Sequence, residues 1–150
     1  MTLVDITVGD HALIARLEEA LAPRTCAAFR AMMPYQDQLI HVRWSGEGCW
    51  IPMGPKAFDL PWESHTCYPR PGQFIFYPGG LSETEILLAY GEVRFSSRFG
   101  QLPGNHFLTV VEGMEHLTDL GHATLWRGAQ PIRFALRHVQ AESAAAVAGA

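Results

Sequence analysis

Arg43 is the residue in this chain best suited to grip a small polar partner. Its planar guanidinium offers a fixed fork of donors to a carboxylate or a polarised carbonyl, and it lies among the apolar and aromatic side chains of His41-Val42-Arg43-Trp44. A buried charge there needs an anion, because burying it unpaired is costly. A ligand can supply that anion, and so can a structural ion pair with Glu85 or Glu47. Glu83 and Glu85 are two residues apart and so share one face of a strand, and paired carboxylates can divide acid and base roles. Glu85 is the stronger candidate because apolar Ile86-Leu87-Leu88 follows it. Exposed strand carboxylates are common, so a purely solvated pair is the competing reading. His41, His65 and His106 include candidates for a general base, since imidazole titrates near neutrality. The catalytic set expected from these residues is Arg43, Glu85 and His106.

Aromatic walls suit small planar ligands. Trp44, Trp50, Trp62, Tyr77 and Trp126 are the candidates, with core packing the alternative for each. Trp44, Tyr77 and Trp62 are the expected ligand-binding members, and Trp62, between Pro61 and Glu63, either caps the core or covers a cleft. No metal or cofactor is expected. No histidine pair has the spacing of a strong metal motif, and Tyr77-Pro78-Gly79-Gly80 is too short for a phosphate loop. No Gly-x-Ser-x-Gly elbow surrounds Ser45. Cys26 falls on an apolar helix face, and Cys49 and Cys67 have no basic neighbour to activate them.

The elements that must hold these side chains are mostly short strands. Val4, Ile6 and Val8 alternate with polar residues up to Gly9-Asp10, and Leu13, Ala15 and Leu17 alternate after it, which predicts a hairpin. Pro23 opens a helix carrying Cys26, Phe29 and Met33, ended by Pro34. A strand is predicted from Gln38 to Trp44, with Leu39, His41 and Arg43 on one face. A long Pro- and Gly-rich loop runs from Met53 to Gly72. Further strands are expected at Phe74 to Tyr77, Thr84 to Tyr90, Val93 to Phe99, His106 to Val111 and Ile132 to Val139. Met114, Leu117 and Leu120 share a face and predict a second helix over that span. Residues 1–139 form the expected domain, and 140–150 an Ala-rich, weakly structured tail.

Composition narrows the function. The 150 residues carry a net charge of −4 and a single lysine, Lys56, so no basic field exists to hold nucleic acid. No segment is long and apolar enough to span a membrane and no leader pattern opens the chain. Three widely spaced cysteines fit neither a disulfide framework nor a zinc ribbon. A cytoplasmic protein with reduced thiols is expected.

The stretch Ala22-Pro23-Arg24-Thr25-Cys26-Ala27-Ala28-Phe29-Arg30 after the first hairpin resembles the opening of cyclophilins. Leu102-Pro103-Gly104-Asn105-His106-Phe107, followed by Val110-Val111-Glu112-Gly113-Met114, is similar to their approach to the second helix. Arg43-Trp44-Ser45-Gly46-Glu47, Tyr77 to Ile86 and Gly100 to Phe107 look like the signature blocks of an uncharacterised bacterial family of cyclophilin-like barrels. The resemblance implies a mainly β protein, a closed barrel of about eight strands with two short helices. Arg43 stands nearest the place of the cyclophilin catalytic arginine. The Phe, Met and Gln of the proline pocket are missing, and Phe76-Tyr77-Pro78-Gly79 replaces a Met-Ala-Asn-Ala segment, which argues against a working prolyl isomerase.

The leading expectation is a small-molecule site around Arg43 that binds a small polar or anionic metabolite, with turnover left open. Bacterial enzymes with related barrels act on cyclic amides and urea derivatives, which makes a lactam or ureide a ligand to try. The alternatives are a peptide-binding module with weak isomerase activity, and a homo-oligomer subunit that packs through Trp62 and Phe58.

Overall fold

Alternation along the strands determines which side chains meet inside the protein, and a computed structural model, described for residues 1–138, shows how the ring closes. The strands are β1 (Leu3–Val8), β2 (His11–Leu17), β3 (Tyr35–His41), β4 (Gly46–Pro52), β5 (His65–Thr66), β6 (Gln73–Tyr77), β7 (Glu85–Val93), β8 (Ser96–Ser97), β9 (Gly100–Gln101), β10 (Gly104–Glu112) and β11 (Gln130–Leu136). The helices are α1 (Pro23–Met32) and α2 (Leu117–Trp126), with short 3₁₀ turns at Arg43–Ser45 and Met114–His116. Eight strands pair in the order β2-β1-β11-β3-β4-β7-β6-β10, and β10 pairs back onto β2, so the sheet is a closed antiparallel barrel. Closure removes the free edges that an open sheet would expose. β5 adds to β10 outside the ring.

The interior is filled from every strand of the ring. Val4, Ile6 and Val8 of β1 meet Leu13, Ala15 and Leu17 of β2, Phe74 and Phe76 of β6, Phe107 of β10 and Phe134 of β11. Helix α1 adds Phe29, whose ring lies 5.0 Å from Phe107 and 5.1 Å from Phe134 in edge contacts. Its N-terminus is capped from a distance. The Glu63 carboxylate accepts from Arg24 N at 3.0 Å and from Thr25 N at 2.9 Å, satisfying donors that a helix start leaves open.

A second apolar layer lies outside the barrel. β6 and β7 are buried on both faces, and Ile75, Tyr77, Leu87 and Ala89 point outward into a cluster with Val42, Val93, Phe95 and Leu102. Residues 94–103 cover this face as an arm. Phe95 and Leu102 are buried at its base, Leu102 N donates to Phe95 O, and β8 and β9 form a small hairpin at its tip. Burying a side chain the size of Phe95 contributes roughly 1.5–3 kcal/mol, enough to seat such an arm.

Four local expectations differ from this architecture. Arg43 to Ser45 is a 3₁₀ turn, not the end of a strand, because the chain reverses into β4 at Gly46, whose φ of +113° strongly favours glycine. β7 runs unbroken through Gly91, where the Glu47 side chain packs and accepts from Glu92 N at 3.1 Å. Val93 to Phe99 is the entry to the arm, with only Ser96–Ser97 as strand. The second helix begins at Leu117 and continues to Trp126, since Gly121 lets it lie directly against the Tyr90 ring. The expected Ala-rich tail lies outside the described residues.

Candidate functional site

Where the arm crosses the outer face of β4 and β7 it leaves a cleft of about 770 Å³, within the size range of small-ligand sites. One side is the sheet, with Trp50 and Glu85. The other sides are the hairpin residues Ser96 to Phe99, the loop Leu81 to Glu83, and Trp44. Register explains the floor. Pro52 of β4, Glu85 of β7 and Tyr77 of β6 stand on one outward rung, and Trp50, Leu87 and Ile75 on the next.

Glu85 is the unusual member of that floor. It is 4% exposed, and among the described residues it has no hydrogen-bond or ion-pair partner. Burial, with the neighbouring Glu83 charge second, pushes its carboxyl up to about 8. The carboxyl therefore holds its proton at neutral pH. Trp50 Nε1 is likewise a buried donor without a partner. The Glu85 carboxyl opens onto the cleft, whereas Trp50 Nε1, with His41 Nδ1 under α2, is a fully buried polar atom without a partner among the described residues.

The walls are held in place by hydrogen bonds from residues around them. Trp44 Nε1 donates to Ser96 O at 3.1 Å, and its ring meets Trp50 edge-on at 5.7 Å. Ser45 Oγ donates to Ser96 O at 3.2 Å and accepts from Ser96 N at 3.1 Å, which staples the arm to the 3₁₀ turn. The Tyr77 hydroxyl is buried below the cleft and accepts from Leu81 N at 3.0 Å and Ser82 N at 3.2 Å. It positions the loop wall without lining the cleft.

The other residues singled out in the sequence lie elsewhere. Arg43 is exposed, makes no ion pair among the described residues and does not line the cleft. Its charge is felt by His41, which burial first, and Arg43 and His122 next, hold below the usual imidazole range. His41 Nε2 lies 2.8 Å from the Tyr90 hydroxyl, under α2. His106 faces outward on β10, in a separate network. Its Nε2 is 2.7 Å from Thr109 Oγ1, which donates to Glu18 Oε1 at 2.8 Å, and Glu18 pairs with Arg16 at 2.7 Å. Trp62 is half exposed, tilted against His65 and Tyr77 on a loop fixed by Asn105, which accepts from Glu63 N and donates to Pro61 O. Phe58 packs edge-on against Phe76 at 5.0 Å. Burial pushes the Cys26 and Cys49 thiols up to about 12, so neither is a nucleophile near neutrality. The cleft residues that sequence reasoning did not anticipate are Leu81, Ser82, Ser96, Ser97, Arg98 and Phe99.

The model of a family described as a protein of unknown function, DUF3830, matches residues 4–136. The chain belongs to this family. No curated protein matches the DUF3830 chain in sequence. Among solved structures it is similar to McbB in complex with tryptophan, with a TM-score of 0.70 and 17% identity over 91% of the chain. The DUF3830 chain spans 45% of the McbB chain. It is also similar to the hypothetical protein AF2241 from Archaeoglobus fulgidus, known from a solution structure, with a TM-score of 0.59 and 14% identity over 91% of this chain and 95% of that one. At these identities the likeness concerns the fold, which is cyclophilin-like. No helix of the described residues is long and apolar enough to cross a membrane.

Proposed function

We propose that this DUF3830 protein binds a small organic molecule in the cleft between the outer face of β4–β7 and the 94–103 arm, with Glu85 as polar anchor and Trp44 and Trp50 as walls. The observation that carries this reading is the Glu85 carboxyl, buried on the floor of an open cleft with no partner among the described residues. A carboxyl held in so apolar a setting loses much of its hydration without gaining a protein partner, and a ligand that pairs with it offsets that loss. A strongly perturbed group sitting in a cleft is a functional-site candidate on physical grounds. The solved complex of McbB with tryptophan supports the reading by fold analogy alone.

Glu85 is also the group placed to exchange a proton with the bound molecule, because its titration lies close to neutrality. The binding reading stands independently of turnover. A thermal-shift screen of small metabolites, read again by quenching of tryptophan fluorescence, tests it. Compounds that bind the wild type should lose at least about tenfold in affinity, some 1.4 kcal/mol, in both Glu85→Gln and Trp50→Phe. Hits that survive both substitutions unchanged would place the binding site elsewhere.

A further inference from the structure

The charges around Glu85 point to the kind of molecule that fits. On β4 its neighbours are Pro52 and Trp50, neither of which ionises, and on β6 the facing group is the Tyr77 hydroxyl, already engaged by Leu81 N and Ser82 N. The loop before β7 brings a second carboxylate, Glu83, to the same cleft. Lys56, on the loop that bonds Thr84, turns its ammonium to the Phe58 ring at 5.4 Å. Arg98 lines the cleft from the exposed hairpin tip, its guanidinium 4.8 Å from the Phe99 ring centroid, and forms no ion pair among the described residues. Glu83 thus brings a negative charge to the loop side of the cleft and Glu85 an ionisable acceptor to its floor, beside the aromatic rings of Trp44, Trp50 and Phe99. Aromatic walls beside a carboxylate favour a cation, which gains from both the ring quadrupole and the ion pair.

Resting on the site proposed above, we infer that the ligand is an organic cation, a protonated amine or amidinium on a flat apolar body, whose charged N–H donors pair with the Glu85 carboxylate. Pairing requires that carboxyl to ionise. The balanced step is the loss of the Glu85 proton to solvent as the ligand cation enters, with no change in the ligand itself. The buried carboxyl holds that proton in the empty cleft because nothing on the neighbouring strands offers a compensating charge.

Isothermal titration with benzamidine at neutral pH, in phosphate and in Tris, tests the inference, because the two buffers take up a released proton with different heats. Benzamide and benzoate serve as neutral and anionic counterparts of the same shape. Benzamidine is expected to bind at least about tenfold tighter than benzamide and to release close to one proton. Its affinity should rise by up to about tenfold per pH unit below the Glu85 titration. Glu85→Gln should abolish both the proton release and the preference for the cation. Benzamide or benzoate binding as tightly as benzamidine, with tryptophan quenching retained, would overturn the cationic class and leave the site standing. Binding of benzamidine without proton release would overturn it equally. Failure of all three probes to bind wild type would overturn both the class and the site.

Discussion

Glu18 and Glu85 both lie against the outer wall of the same barrel, yet they are opposite cases of what a fold does with a carboxylate. Glu18 accepts from Arg16 and from Thr109, which in turn meets His106. Burial alone would raise it, but the hydrogen bonds outweigh burial and hold it below the usual carboxylate range. Glu85 is more deeply buried, has no partner among the described residues, and is raised to about 8. A fully bonded network such as that of Glu18 fastens β10 to the end of β2 and needs nothing from outside. A carboxyl without a partner at the floor of a cleft is the opposite arrangement, and it is the one on which the proposed ligand site rests.

The two carboxylates should also respond to pH in opposite directions. In the native protein Glu85 keeps its proton between the ordinary glutamate value of 4.5 and about 8, whereas the unfolded chain gives it up. Native stability contributed by this group is therefore lost as pH rises across that window, at up to about 1.4 kcal/mol per unit and on the order of 5 kcal/mol in total. Glu85→Gln removes the slope, so urea denaturation at successive pH values should show the variant gaining on wild type from mildly acidic to mildly alkaline conditions. Parallel profiles would erase the contrast between the two sites.

For Glu18 the native pKa is depressed, so its contribution is present above the ordinary glutamate range and is lost as pH falls through that range. Glu18→Gln should destabilise at neutral pH by roughly 1–3 kcal/mol, nearer the lower figure because the Arg16 side chain is 40% exposed and its pairing is screened by solvent. The difference from wild type should shrink on acidification. A variant equally impaired at pH 7 and pH 3, by the same denaturation measurement, would show that packing and not charge holds that network.

Much of the barrel was legible because alternation survives closure: Val4-Ile6-Val8 and Leu13-Ala15-Leu17 must share an interior whatever the register. Glu85 was legible for a related reason, as a single carboxylate heading the apolar run Ile86 to Tyr90. That same run carries a second signal. Strands apolar at every position are buried on both faces, so Phe74 to Tyr77 and Ile86 to Tyr90 require an outer cover, and Phe95 and Leu102 supply it. The cover could not be located in the sequence, because Val93 to Phe99 alternates like any strand and its pairing partner is a matter of tertiary packing. Arg43 shows the other limit. Periodicity assigns a face only while the chain stays extended, and the reversal into Gly46 places this arginine on an exposed turn. Arg98 and Phe99 carried no local mark, since only the fold of the arm brings them to the cleft.

The central claim is that Glu85 stands protonated and partner-free at neutral pH, available to a ligand. Its side-chain carboxyl carbon, assigned by ¹³C NMR through its absence in Glu85→Gln, reports that state directly when titrated from acid to alkali. The account predicts a midpoint near 8 in the ligand-free protein. A midpoint at the ordinary glutamate value of 4.5 would show a carboxylate already satisfied by the fold, and would contradict it.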